Sequence, residues 1–206
     1  MSTLLHLDAS PRGDFSISRQ LSAAAVAAWK DKHPGGKVIV RDLTKTNLTF
    51  VDLNWIIGAF GQPDQLTDEH KSALALSDTL ISELLAADEI VLGTPMYNFA
   101  VPAVVKAWID HVVRAGKTFT YGASGPEGLA KGRKVLVAVA SGGSYDQGSG
   151  MEAYNHEVPY LRLILGFIGL TDVTFVHAGG TMRVAQGKIS SEEFLAPLLK
   201  QIHIAV

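Results

Sequence analysis

Ser10, Ser16 and Ser18 place three hydroxyls in one short stretch, between an apolar run at residues 3–7 and an Ala-rich helical pattern from Ser18 to Lys30. A strand-to-helix turn of this kind suits an anion, because the free N–H groups of a helix's first turn and the positive end of its macrodipole meet there. The hydroxyls add donors that fit a terminal phosphate. Taken alone, the simpler reading is an N-cap at Ser16 and a turn at Ser10-Pro11. Two other stretches bear on the choice. Thr94-Pro95-Met96-Tyr97-Asn98-Phe99-Ala100-Val101-Pro102 offers Tyr97 and Phe99 to flank a flat ring, with backbone groups of Met96 and Asn98 for its edge. Ser141-Gly142-Gly143-Ser144-Tyr145 can bring N–H donors against a carbonyl or a ring nitrogen carrying negative charge. Each of these, in isolation, is better read as ordinary turn packing or a flexible turn. Jointly they describe one ligand with a phosphate, a planar ring and a hydrogen-bonding ring edge.

Periodicity supplies the elements that must position these turns. Residues 3–7 read as a strand buried on both faces, and the first helix stops at His33-Pro34-Gly35-Gly36. Lys37–Asp42 is a second strand. Residues 43–66 lose clear periodicity, with a short helix around Val51–Gly58. The spacing of Ala73, Leu76, Leu80, Ile81, Leu84 and Leu85 predicts one amphipathic helix over Thr67–Ala87. Glu89–Thr94 is a third strand, and Pro102 opens a helix with Val104, Val105, Trp108, Ile109 and Val112 on its apolar face. Residues 115–132, Gly-rich around Phe119 and Tyr121, read as a long loop or short hairpin. Lys134–Ala140 is a fourth strand, residues 151–168 a helix that Pro159 kinks or starts, and Val173–Val176 the last strand. A final helix begins at the capping box Ser190-Ser191-Glu192-Glu193. Strands alternating with helices predict an α/β fold, one domain over residues 1–206 with a five-stranded parallel sheet and helices on both faces, and the order considered for it is that of a flavodoxin-like three-layer sandwich, 2-1-3-4-5. The three turns then converge at the carboxyl ends of neighbouring strands.

Composition narrows the chemistry. With 18 basic and 20 acidic residues spread along 206, and a net charge of −2, there is no footprint for nucleic acid or an anionic membrane. The absence of cysteine excludes disulfides, thiolate metal sites and Cys nucleophiles, so redox chemistry needs a borrowed cofactor. No apolar run approaches the roughly 20 residues of a membrane helix, and a soluble cytoplasmic protein is expected. The Walker pattern, the dinucleotide fingerprint and the nucleophile elbow are all missing. The histidines lack metal spacing: His156-Glu157 has no second His, and His6 and His177 read as structural, so no metal ligand is named.

At this point the chain resembles the FMN-dependent NAD(P)H azoreductases, which are similar to flavodoxin-like quinone reductases. The resemblance spans essentially the whole chain. Its carriers are LDASPR at residues 7–12, SIS at 16–18, TPMYNF at 94–99, PAVVKAWID at 102–110, GPEGL at 125–129 and GFIGL at 166–170. It implies a bound FMN, held by Ser10, Ser16, Ile17 and Ser18 at the phosphate, by Pro95, Met96, Tyr97, Asn98 and Phe99 along the isoalloxazine, and by Ser141, Gly142, Gly143 and Ser144 at the pyrimidine end. It also implies hydride transfer from NADH or NADPH to quinones and aromatic azo compounds in a ping-pong cycle, with no side-chain acid or base strictly required. The Gly142 and Gly143 amides are candidates near N1 and the Asn98 amide near N5. A homodimer with active sites at its interface is implied as well, with Phe60, Phe119, Tyr121 and Tyr145 lining the substrate pocket, some from the partner chain. Where some relatives have Arg before the Gly pair, this chain has Ser141, which removes a charge near the ring and leaves redox tuning and the choice of nicotinamide open. Two rival functions remain: a one-electron flavodoxin-like carrier, disfavoured by the weak net charge and the aromatics suited to stacking a planar substrate, and a structural FMN-binding role.

Overall fold

In the computed structural model, which describes residues 1–123 and 125–205, the chain opens with β1 (Thr3–Asp8), where Leu4 is buried on one sheet face and Leu5 and Leu7 on the other. α1 (Ile17–Lys32) follows, starting one residue before the expected Ser18. Gly35, at a φ of 83°, turns the chain beyond it, and a Cβ at Gly36 would lie 2.5 Å from the Trp29 indole. β2 (Lys37–Asp42) is next. α2 (Leu53–Phe60) is capped by Asp52, whose carboxylate accepts from the Trp55 N–H at 2.8 Å.

The single helix expected over Thr67–Ala87 is two, α3 (Asp68–Ala73) and α4 (Ala75–Ala86), joined at Leu74. α3 crosses Gly58 of α2 so closely that a Cβ there would lie 2.6 Å from the His70 carbonyl oxygen and 3.0 Å from Leu74 Cγ. α4 instead seats Leu80, Ile81 and Leu84 in the core over the sheet. One straight rod cannot serve both seats, and a one-dimensional apolar pattern reads through the break.

β3 (Glu89–Pro95) and α5 (Ala103–Val112) lead into an antiparallel hairpin, β4 (Phe119–Gly122) and β5 (Gly125–Gly128). β6 (Lys134–Ser141), α6 (Glu157–Phe167), β7 (Asp172–Gly179), α7 (Met182–Ala185) and α8 (Ser191–Ala205) complete the order. Pro159 sits in the first turn of α6, where its missing N–H costs nothing, so this helix starts at Glu157 rather than 151. The main sheet holds five strands in the order β2-β1-β3-β6-β7, every pair parallel. Counted by themselves these strands run as expected. The hairpin at 115–132 contributes two strands of its own and shifts the numbering.

Leu5, Leu7, Leu92, Val135 and Val137 face α4, α5 and α6, while Leu4, Val91, Leu136 and Ala138 face α1 and α8. Burying both faces is what a parallel sheet with crossover helices requires. The register then levels the strand ends: Asp8 pairs with both Asp42 and Gly93, Pro95 with Ala140, and Ser141 with Gly179. The loops after β1, β3, β6 and β7 therefore leave along one edge. No helix among the described residues is long and apolar enough to cross a membrane.

Candidate functional site

The turn after β1 buries its three hydroxyls: Ser10, Ser16 and Ser18 are 1%, 3% and 0% exposed. Ser16 is the N-cap of α1, its Oγ accepting from the Arg19 N–H at 3.4 Å, and it lies 3.1 Å from Ser18 Oγ. Capping and ligand binding are therefore compatible here, since the oxygen accepts from the helix while its hydrogen can point to Ser18 Oγ or to a ligand. Arg19, which the sequence did not single out, braces the turn. Its Nε donates to the Ser10 carbonyl at 2.6 Å, and its guanidinium bonds Asp8 at 3.3 Å and Asp42 at 2.9 Å. Desolvation of Asp42 opposes ionisation, but hydrogen bonds from Arg19 and Thr44 outweigh it and hold the carboxyl below the usual carboxylate range. α1 can approach β3 this closely only because residue 93 is Gly: a Cβ there would lie 2.7 Å from Asp8 Oδ1 and 2.8 Å from Ser22 Oγ.

The loop after β3 is strained. Tyr97 and Ala100 exchange N–H to carbonyl bonds of 3.0 and 3.1 Å around Asn98 and Phe99, whose φ values are 49° and 69°. Two positive φ values mark a type I′ turn, comfortable for Asn and costly for Phe. The loop starts against its neighbour, with the Met96 N–H donating to the Ala140 carbonyl at 2.8 Å. The Phe99 ring packs against Tyr145 at 5.8 Å and Tyr154 at 5.4 Å between centroids.

The loop after β6 is fastened by the loop after β7. N–H groups of Gly180, Thr181 and Met182 donate to the carbonyls of Gly143, Ser141 and Gly142 at 2.9, 3.0 and 3.2 Å. Ser141 Oγ donates to the Gly143 carbonyl at 2.7 Å, and His177 Nδ1 lies 2.8 Å from Asp146 Oδ1. With its carbonyls taken by the loop after β7, this loop has amides to spare: no acceptor among the described residues takes the Gly142 or Gly143 N–H.

The loops enclose one crevice with two lobes of about 180 and 300 Å³. Ser10, Ser16, Ile17, Pro95 and Tyr97 line the first, Asn98, Phe99, Ser141, Gly143 and Tyr145 the second, and Met96, Gly142 and Met182 both. Ser18 and Ser144 do not line it; Ser18 supports Ser16, and Ser144 packs where a Cβ on Gly179 would reach, 3.2 Å away. Phe60, Phe119 and Tyr121 are not brought to the crevice within one chain, because Phe119 is buried against Phe167 at 4.7 Å and Phe60 and Tyr121 face outward. Arg12, Ala140, Thr181, Met182 and Ala185 complete the first lobe and are not singled out by the sequence. The Gly179-Gly180 pair at the end of the last strand is the same signal that marks Gly142-Gly143, and it points to them.

These residues fit a flavin mononucleotide. Hydroxyls and a helix start stand at one end, aromatic side chains along the middle, and unpaired N–H donors at the other end. A Cβ on Gly142 would meet nothing nearer than Met182 Cε at 3.9 Å, so the glycine leaves crevice space that a side chain would occupy.

A family model described as flavodoxin-like fold matches residues 2–202. The sequence is 54% identical to an FMN-dependent NADH:quinone oxidoreductase of Nostoc sp., over 86% of both chains. It is 48% identical to one from Jannaschia sp., over 100% of this chain and 99% of that one. An azoreductase crystal structure from Bacillus anthracis superposes with a TM-score of 0.88 at 32% identity, covering 99% of this chain and 98% of that one.

Proposed function

This chain belongs to the flavodoxin-like family that holds the FMN-dependent NADH:quinone oxidoreductases, and on that premise we propose that it binds FMN and reduces quinones and aromatic azo compounds with electrons from NADH or NADPH. The observation that carries this reading is the meeting of three chemically complementary loops in one crevice at the carboxyl ends of parallel strands. FMN, when bound, supplies two-electron hydride chemistry.

The chain's own residues hold and tune that group. Ser10 and Ser16 Oγ and the first turn of α1 take the phosphate, with Ser18 fixing Ser16. Tyr97 and Phe99, which line the two lobes, would hold the ring. The Gly142 and Gly143 N–H groups stand ready to oppose negative charge at the ring edge, with the Asn98 N–H on the side nearer β3. A ping-pong cycle, with donor and acceptor using one site in turn, is what the family resemblance implies, and two adjoining lobes that share Met96, Gly142 and Met182 are compatible with it. A homodimer would bring Phe60 and Tyr121, 68% and 73% exposed, to a partner's crevice, with Phe119 backing Tyr121 at 5.6 Å.

The test is anaerobic. The purified protein is expected to show a flavin spectrum that bleaches to the two-electron reduced form on adding NADH or NADPH, without a stable semiquinone, and recovers on adding benzoquinone. A stable semiquinone with no response to either nucleotide would sink this reading in favour of a one-electron carrier.

A further inference from the structure

Glu157 opens α6 and is completely buried, at 0% exposure, yet no ion pair among the described residues involves it. Its Oε1 accepts a hydrogen bond from the Thr94 hydroxyl at 2.9 Å, and Oε2 has no hydrogen-bond partner. Burial pushes the carboxyl up to about 9 against the opposing pull of the Thr94 bond, so at neutral pH Glu157 is an uncharged acid. Keeping such a group inside is expensive compared with an aliphatic side chain of similar volume.

Its position says what it is there for. Thr94 is the penultimate residue of β3, just before the strained loop, and the residue before Glu157 grips the other end: the His156 backbone N–H donates to the Phe99 carbonyl at 3.0 Å. Two consecutive residues at the head of α6 thus hold both ends of Thr94–Phe99. Within that span Asn98 and Phe99 sit in the left-handed region, which Asn tolerates and Phe does not adopt freely. A loop under that strain relaxes unless its ends are fixed. Glu157 itself does not line the crevice, so it acts through Thr94.

We propose that Glu157 is a positioning residue: through the Thr94 hydroxyl it holds the end of β3 and the Met96–Phe99 loop in the shape that receives the flavin ring. The assignment rests on the FMN reading above.

The test compares the parent with Glu157→Gln, Glu157→Leu and Thr94→Val, each freed of flavin. FMN affinity is read from quenching of flavin fluorescence, and backbone hydrogen exchange over residues 96–100 is followed in the flavin-free proteins. Gln retains an uncharged carbonyl acceptor, so Glu157→Gln is expected to bind FMN within about twofold of the parent. Glu157→Leu and Thr94→Val are expected to weaken binding about tenfold, or roughly 1.4 kcal/mol, and to speed exchange over residues 96–100 with helical circular dichroism unchanged. Parent-like affinity and exchange in Glu157→Leu would overturn the proposal, as would a Glu157→Gln variant as impaired as Glu157→Leu, since charge rather than the acceptor would then matter. If Glu157→Leu does not fold, Thr94→Val decides alone, because it removes the same bond without altering α6. A parent that takes up no FMN would instead defeat the FMN reading, while exchange over residues 96–100 still judges the positioning role.

Discussion

The turn after β1 and the loop after β3 face the same crevice but are built on opposite principles. The first is made of parts the fold needs in any case. Ser16 caps α1, Arg19 joins Asp8 to Asp42 and the Ser10 carbonyl, and the donors of a helix start are unavoidable. The second is held away from its own preference. Phe99 keeps a φ of 69° because Tyr97 and Ala100 close a tight turn and because His156 and Glu157 hold the loop from the head of α6. Where binding groups double as structural ones, mutation should cost stability and affinity together. Where they are strained and held from outside, affinity should change with little loss of stability.

That contrast can be broken by mutation. The largest effect is expected for Gly93→Ala, which drives a Cβ between Asp8, Ser22 and the Ser18 carbonyl; unfolding in urea should show a loss of about 2–3 kcal/mol, with FMN affinity falling alongside. A smaller loss is expected for the double replacement Ser16→Ala with Ser18→Ala. Removal of the cap should cost about 1 kcal/mol of stability, and FMN retention should fall further than stability does. Equal flavin content in mutant and parent would show that the hydroxyls serve the helix alone. The smallest effect on stability belongs to the strained loop: Phe99→Gly should leave the urea midpoint within about 1 kcal/mol of the parent, because relief of the positive φ offsets lost ring contacts. FMN affinity should nonetheless drop. A destabilisation as large as that of Gly93→Ala would erase the distinction between the two regions.

The legible parts of this protein are those whose causes are local. Ser16 before an Ala-rich helix, Pro102 and Pro159 at helix starts, and the Gly142-Gly143 pair each carry a signal within a few residues, and a parallel sheet follows from strands that alternate with crossover helices. The break at Leu74 was invisible because its cause, the crossing at Gly58, lies in another helix. Arg19 looked like one more basic residue on a helix until β1 and β2 brought Asp8 and Asp42 to it. Phe60, Phe119 and Tyr121 mark a different limit: within one chain they do not line the crevice, and the pocket role that the resemblance implies for them depends on a partner chain.

By itself the sequence determined the alternation of buried strands and helices, the edge at which the loops emerge, and the three sets of donors and rings that match a flavin. Only the tertiary structure decided that Phe99 sits at positive φ, that the β7 loop draws back the carbonyls beside Gly142 and Gly143, and that a buried, uncharged Glu157 stands behind Thr94. Periodicity and capping are set by neighbours along the chain, whereas strain, burial and the state of a carboxyl are set by whatever the fold packs against them.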